Sequence, residues 1–159
     1  MQYHIEKGRH YSNHAIKYHF GIIRKKISFL FSPSCLYSTT DNSSINKLFG
    51  WSFGHHHTDS VRVGWRPDGN DKICLFFYCY NKKTRFIQHF TTVDVSEEYT
   101  MKISIQKKYI LFELYKIGDV TSRGTIPFIR PWFRWGYFLY FYFGGKNPAP
   151  QDMTAYIFT

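Results

Sequence analysis

The fold class is decided by residues 60–80, which read SVRVGWRPDGNDKICLFFYCY. The first part of this stretch alternates between two sets, as the two faces of a β-strand do: Val61, Val63 and Trp65 against Arg62, Gly64 and Arg66. The segment 67–70, PDGN, is a strong turn, because proline fixes φ and glycine accepts a positive φ. The second run, Lys72–Tyr80, is apolar on both faces, which is typical of a strand with cover on each side. The stretch therefore predicts two neighbouring antiparallel strands.

The same alternation extends along the rest of the chain. It predicts a meander of neighbouring antiparallel strands over residues 60–66, 72–80, 85–93, 100–106 and 109–115. Further strands are predicted over 16–23, 27–31, 47–53, 135–143 and 153–158, and long loops over 32–45 and 116–127. Residues 12–24 also admit a helix capped by Ser12, but their alternation favours a strand. We therefore expect an all-β, jelly-roll-like antiparallel β-sandwich of about nine or ten strands, with a closed up-and-down β-barrel as the alternative.

Length and composition indicate one folded domain that spans residues 1–159. Aromatic residues make up 21% of the chain, which excludes a disordered protein. The chain contains no apolar run of the roughly 20 residues that a transmembrane helix needs, and its first residues are too polar for a secretory signal. We therefore expect no membrane span, and a cytoplasmic or virion-associated location is compatible with the sequence.

The cysteine spacing indicates neither a disulfide bond nor a metal site. Cys74 and Cys79 lie in one predicted strand and on opposite faces of it, so they cannot bridge each other without breaking that strand. With Cys35 the chain has three cysteines, and no second pair completes a zinc site. We expect buried free thiols.

The C-terminal segment Tyr140–Met153, YFYFGGKNPAPQDM, carries a resemblance to a known group of folds. An aromatic strand enters a Gly-Gly turn, crosses a proline-containing loop and returns through a final strand. This resembles the last hairpin of the concanavalin A-like lectin and glucanase jelly-roll domains. The resemblance implies sandwich topology more than it implies an activity.

The catalytic residues that this resemblance would imply are missing from the sequence. Glucanases of this kind carry a strand with closely spaced glutamate and aspartate residues, because retaining hydrolysis needs two carboxyl groups about 5–5.5 Å apart. None of the 11 acidic residues has that spacing on a predicted strand. The related alginate lyases carry a Gln-x-His strand, whereas here Gln88 and His89 are adjacent. Hydrolase and lyase chemistry are therefore disfavoured, and an enzyme ranks third among the functions that we consider.

Three consecutive histidines, His55, His56 and His57, raise the question of a metal site. Imidazole is a common transition-metal ligand, and His55 and His57 could share a metal with His89 or Asp59. Consecutive side chains diverge along a strand, however, so a polar loop is the favoured interpretation. We predict no metal and no cofactor.

The surplus of aromatic side chains points to either a large core or a binding platform. Tyrosine and tryptophan present an apolar ring with a polar handle, which suits stacking on sugar rings. We place the candidate ligand-binding face on one set of residues, with Gly64 leaving room above the sheet: Arg62, Trp65, Arg66, Tyr78 and Tyr80, with His55 and His57 at the rim. This set predicts a non-catalytic module that binds carbohydrate or another polymer. The alternative is a structural or assembly protein, such as a virion or surface subunit, that uses the same face as a protein–protein interface.

The charge of the chain bears on its partner. A formal net charge of +10 favours an anionic glycan or protein. The paired lysines at predicted turns are also typical of protected sheet edges. The sequence has no RNA-recognition signature, so we expect no sequence-specific nucleic-acid partner. The sequence is also compatible with a homo-oligomer.

Overall fold

The structure, a computed structural model, describes residues 1–38, 44–132 and 135–158. It consists of two antiparallel sheets of six strands each. The strands in chain order are β1 Gln2–Ile5, β2 Tyr18–Phe20, β3 Arg24–Phe31, β4 Asn46–Ser52, β5 Ser60–Pro67, β6 Lys72–Asn81, β7 Thr84–Asp94, β8 Tyr99–Ile105, β9 Tyr109–Lys116, β10 Asp119–Pro127, β11 Trp135–Leu139 and β12 Met153–Phe158. The first sheet has the order β1-β12-β3-β8-β9-β10, and the second has the order β2-β11-β4-β5-β6-β7. The predicted all-β sandwich is confirmed, and the alternative of a closed barrel is wrong.

The predicted single meander over residues 60–115 is wrong at one connection. Strands β4 to β7 are consecutive neighbours in the second sheet, but β8 to β10 belong to the first sheet. The chain crosses between the sheets after Asp94. Ser96 adopts a positive φ of 62° there, and its N–H donates to the carbonyl of Phe31 in the first sheet at 2.8 Å. Alternation reports which face of a strand is buried, not which strand lies beside it, so the sequence pattern could not reveal this crossing.

Two further predictions about strand positions need correction. The predicted loop over residues 116–127 is mostly β10, which pairs with β9 across a turn where Ile117 and Gly118 have positive φ. The segment Tyr140–Met153 is not a hairpin, because β11 lies in the second sheet and β12 in the first. Strand β11 also ends at Leu139, earlier than predicted, and Tyr142 forms only isolated bridges with Tyr11 and Lys47. Part of the predicted loop over residues 32–45 lies outside the described residues.

Aromatic side chains fill the space between the sheets. Trp65 is fully buried, stacks on Phe141 with ring centroids 5.5 Å apart and lies 5.2 Å from the ring of Phe31. The three cysteines are free thiols, and burial raises the pKa of both Cys35 and Cys79 to about 12. Within the described ranges, no helix has the length and apolar character to cross a membrane.

The position of Trp65 predicts a large effect on stability. Trp65→Ala should lower the free energy of unfolding by about 3–5 kcal/mol, because it leaves a cavity in the core. The matched variant Trp135→Ala removes a ring that is 54% exposed and should cost less than about 1 kcal/mol. Urea unfolding followed by circular dichroism measures both changes, and equal losses would contradict the core position of Trp65.

Candidate functional site

The outer face of the second sheet brings together most of the predicted ligand-binding residues. Arg62 on β5 pairs with Gly50 on β4 and with Tyr78 on β6. Residues directly opposite each other in antiparallel strands point to the same side of the sheet. Register therefore places six residues on one surface, which we call the basic aromatic face: Lys47, Arg62, Arg66, Tyr78, Tyr80 and Arg85.

Trp65 does not belong to this face, and its inclusion in the predicted site is wrong. It alternates with Arg62 and Arg66 along β5, so its side chain points between the sheets, where it is fully buried. The room expected above Gly64 is also taken: Ile45 Cγ2 lies 2.5 Å from the position that a Cβ of Gly64 would occupy. The space beside Gly50 is filled as well, since a Cβ there would overlap the carbonyl oxygen of Val61 and lie 3.0 Å from Arg62 Cγ.

Arg62 is a buried cation with few partners. Its side chain is only 7% exposed, and its Nη2 donates to the carbonyl of His56 at 3.3 Å. Its Nε is buried without a hydrogen-bond partner. Its guanidinium lies 5.6 Å from the ring centroid of Tyr78. Among the described residues no carboxylate pairs with Arg62.

Lys47 approaches the same tyrosine from β4. Its Nζ donates to the carbonyl of Ile45 at 2.6 Å and lies 4.5 Å from the Tyr78 ring centroid. Burial, assisted by the positive charges of Arg62 and Arg85, lowers the pKa of Lys47 to about 8. Burial raises the pKa of Tyr78, and the guanidinium groups of Arg85 and Arg62 act in the opposite direction. Lys47 and Arg62 thus converge on one phenol ring, and register places Arg85 on the same face.

The histidine loop covers one end of the face. His56 Nδ1 lies 2.6 Å from the hydroxyl of Tyr137 on β11, and the ring of His57 lies 5.2 Å from that of Tyr80. His55 stacks on His56, with centroids 4.8 Å apart, rather than on the sheet. His57 therefore lies at the edge of the face beside Tyr80, whereas His55 contacts the loop itself. Over the part of the chain that the structure describes, no group of three or more histidine, cysteine or acidic residues could hold a metal ion.

An aromatic extension of the face lies across β2 and β11. Phe20 pairs with Trp135 and Tyr18 pairs with Tyr137, while the intervening His19 points to the core side against Phe138. Phe20 is 78% exposed and Trp135 is 54% exposed. We call this surface the aromatic shelf and define it by four residues: Tyr18, Phe20, Trp135 and Tyr137.

Sequence reasoning missed several residues of this surface. Lys47 precedes a bulge between Lys47 and Phe49, which shifts the alternation of β4 and hides its face in the sequence. Arg85 could have been found, because it is paired with Tyr80 across a short turn. The aromatic shelf depends on the pairing of β2 with β11, which are far apart in the chain and carry no pairing signal.

No protein-family model and no curated protein sequence matches this chain. Solved structures do. An alginate lyase from Klebsiella pneumoniae aligns with a TM-score of 0.62 at 10% identity, over 86% of this chain and 57% of the lyase. A glycosyl hydrolase family 16 protein from Mycobacterium smegmatis aligns with a TM-score of 0.54 at 13% identity, over 99% and 74%. A glycosyl hydrolase family protein from Mycobacterium fortuitum aligns with a TM-score of 0.52 at 15% identity, over 92% and 66%.

The chain has the concanavalin A-like jelly-roll fold. This confirms the fold-level resemblance that the C-terminal segment indicated, although that segment crosses between sheets. The chain spans only 57% of the lyase and 66% of the Mycobacterium fortuitum protein. At these identities the likeness concerns the fold alone, so the activities of those proteins do not transfer with it.

The half-buried His56 of the histidine loop predicts a pH dependence of stability. Burial and the charge of Arg62 lower the pKa of His56 to about 4 from its ordinary 6.5. The unfolded chain therefore binds more protons between these values, so stability is complete above pH 6.5 and falls as the pH drops toward 4. Allowing for partial exposure, His56 should contribute about 1–2 kcal/mol to this loss.

His56→Asn should reduce this loss, because asparagine can still accept a hydrogen bond from Tyr137 but does not titrate. Urea unfolding of the parent and the variant at pH 7 and pH 4.5 measures the difference. If both proteins lose the same free energy of unfolding, His56 is not the group responsible.

Proposed function

We propose that this chain is a non-catalytic binding module that holds a carbohydrate polymer on the outer face of its second sheet. One observation carries the proposal: the aromatic shelf and the basic aromatic face lie on the same side of neighbouring strands and join through Tyr137 and His56. A sheet face lined continuously by rings and hydrogen-bond donors matches what a chain of sugar rings requires.

The aromatic shelf supports stacking. The rings of Phe20 and Trp135 come from directly paired residues on β2 and β11 and are largely exposed. A sugar presents a face of C–H groups that packs on such a ring, and neighbouring rings can hold successive sugars. Tyr80, on the far side of Arg62, offers another ring beside His57.

The absence of acidic residues from the centre of the face supports binding rather than hydrolysis. Between Tyr137 on β11 and His89 on β7, none of the described residues that register places on the outer side is an aspartate or glutamate. Asp94, at the end of β7, lies on the same side, where it forms an ion pair with Lys72. Glycoside hydrolysis generally uses a pair of carboxyl groups flanking the bond to be cleaved. The solved structures with the same fold are an alginate lyase and glycosyl hydrolases by name, which is consistent with a carbohydrate as the ligand.

The second candidate is an assembly protein. It is favoured by the exposure of the aromatic shelf on β2, a short edge strand at one end of the second sheet. Exposed apolar groups on an edge strand are a recurrent feature of protein–protein interfaces. In that case a second protein chain, rather than a glycan, would cover Phe20 and Trp135.

Affinity gel electrophoresis against a panel of soluble polysaccharides tests the proposed function. Trp135→Ala and Tyr80→Ala should each weaken binding about two- to tenfold, because each removes one stacking ring, worth ~0.5–1.5 kcal/mol. The matched control Tyr109→Ala removes an exposed ring from β9 in the first sheet and should bind like the parent.

The same proteins distinguish the second candidate. Sedimentation that shows concentration-dependent oligomers, lost in Trp135→Ala and without retardation by any polysaccharide, would overturn the glycan proposal in favour of assembly. Binding that is weakened equally by Tyr109→Ala would place the ligand elsewhere on the molecule.

A further inference from the structure

We infer that the centre of the basic aromatic face is an anion site, in which Lys47 and Arg62 hold a carboxylate or sulfate group of an acidic polysaccharide. This inference rests on the proposed function and adds the chemical class of the ligand. The inference is drawn from the burial and arrangement of the cationic side chains, not from the aromatic shelf.

The positive charge of Arg62 is buried without an opposite charge among the described residues. An ionised group that is removed from water costs several kcal/mol unless an opposite charge or a full set of hydrogen bonds replaces the water. Arg62 is 7% exposed, has one contact with a backbone carbonyl, and its buried Nε has no partner. An anion near the exposed part of the guanidinium would supply the opposite charge that no described residue provides.

Among the described residues, the other two buried charged side chains, Glu113 and Asp59, have close partners. Glu113 in the first sheet is 5% exposed, and it accepts a hydrogen bond from Arg123 Nη2 at 2.7 Å and lies 3.4 Å from Lys102 Nζ. Asp59, also buried, accepts hydrogen bonds from Asn81 Nδ2 and from the Lys82 N–H, both at 2.9 Å. The unpaired state of Arg62 is therefore a property of this site, not of buried charges in this protein generally.

Two cationic side chains, Lys47 and Arg62, also lie close to the same ring although their charges repel each other. Lys47 Nζ and the Arg62 guanidinium lie 4.5 and 5.6 Å from the centroid of the same ring, that of Tyr78. Arg85 is placed on the same face by its pairing with Tyr80. Like charges held together raise the free energy of the unliganded protein, and an anion between them removes that repulsion.

The surroundings of the cations indicate an anion attached to a carbon skeleton. Tyr78 and Phe76 form a small apolar cluster with Ile45, and Lys47 also lies 5.7 Å from the ring of Tyr142. Arginine binds carboxylate and sulfate oxygens through its N–H groups. An acidic sugar supplies both the anion and a ring that packs on these side chains.

Equilibrium binding to three polysaccharides tests the inference: polygalacturonate, a sulfated galactan and neutral dextran. Arg62→Gln and Lys47→Met should each weaken binding to the acidic polymers at least 30-fold and leave any binding to the neutral polymer within about twofold. The matched controls Arg24→Gln and Lys26→Met remove the same charges from β3, where both residues are exposed, and should weaken acidic binding less than threefold.

The possible outcomes separate this inference from the proposed function. If the parent binds no polysaccharide, both are overturned. If it binds dextran as tightly as the acidic polymers, or if the β3 controls weaken binding as much as Arg62→Gln, only the anion site is overturned. Binding of only one acidic polymer supports the site and identifies the anion as carboxylate or sulfate.

Thermal unfolding of each variant separates a loss of binding from a loss of folding. Because Arg62→Gln removes an uncompensated buried charge, the variant should melt at the parent's temperature or above it, with an unchanged circular dichroism spectrum. A variant that melts well below the parent would overturn the inference, since Arg62 would then serve the fold. Lys47→Met should also keep or raise the melting temperature.

The affinity for acidic polymers should also fall as the pH rises. The pKa of Lys47 is about 8, and the groups that face it are Arg62 on β5, Tyr78 on β6, Arg85 on β7 and Tyr142. A bound anion favours the protonated amine, so binding takes up a proton once the pH exceeds 8. Affinity should be constant from pH 6.5 to 7.5 and then fall by up to tenfold per pH unit until Tyr78 and the ligand-bound lysine titrate. Lys47→Met should not show this decline between pH 7.5 and 9.

Discussion

The antiparallel register of β5 between β4 and β6 is the constraint on which both the core and the candidate site depend. Successive residues of a strand point to opposite sides, so the register that buries Trp65 between the sheets also places Arg62 on the outer face. A shift of one residue would expose the indole and drive the guanidinium into the core. Trp65 is fully buried against Phe141 and Phe31, so the packing of the core determines which residues form the site.

The connection after β11 holds the other cation in place. Tyr142 and Lys47 exchange two backbone hydrogen bonds, each 2.9 Å long, and the N–H of Gly144 donates to the side chain of Asn46 at 2.8 Å. A Cβ on Gly144 would overlap the backbone of Ile45, so this approach requires glycine. The aromatic Gly-Gly segment that indicated the fold therefore also orients Lys47 toward Tyr78.

Alternation in the sequence was sufficient for the fold class and for β5 and β6, because each has a buried face. It failed for β10, whose residues are mostly exposed and show no apolar period. The site was only partly predictable for a similar reason. Arg62 and Tyr78 followed from alternation and pairing, but Trp65 was included for its chemistry although its own alternation placed it on the other face. Lys47 depended on a bulge and on a distant segment, and neither leaves a local signal.

The charge arrangement is also a reason to propose binding rather than cleavage for this face. A glycosidase needs one carboxyl group to donate a proton and a second to act as base or nucleophile. Cations beside such a pair would lower both carboxyl pKa values and so work against the proton donor. In the part of the chain that the structure describes, no acidic side chain forms an ion pair with Lys47, Arg62 or Arg85, and burial makes the positive charge of Arg62 costly to keep. An anion bound on the face would offset that cost, which is why we propose an acidic ligand.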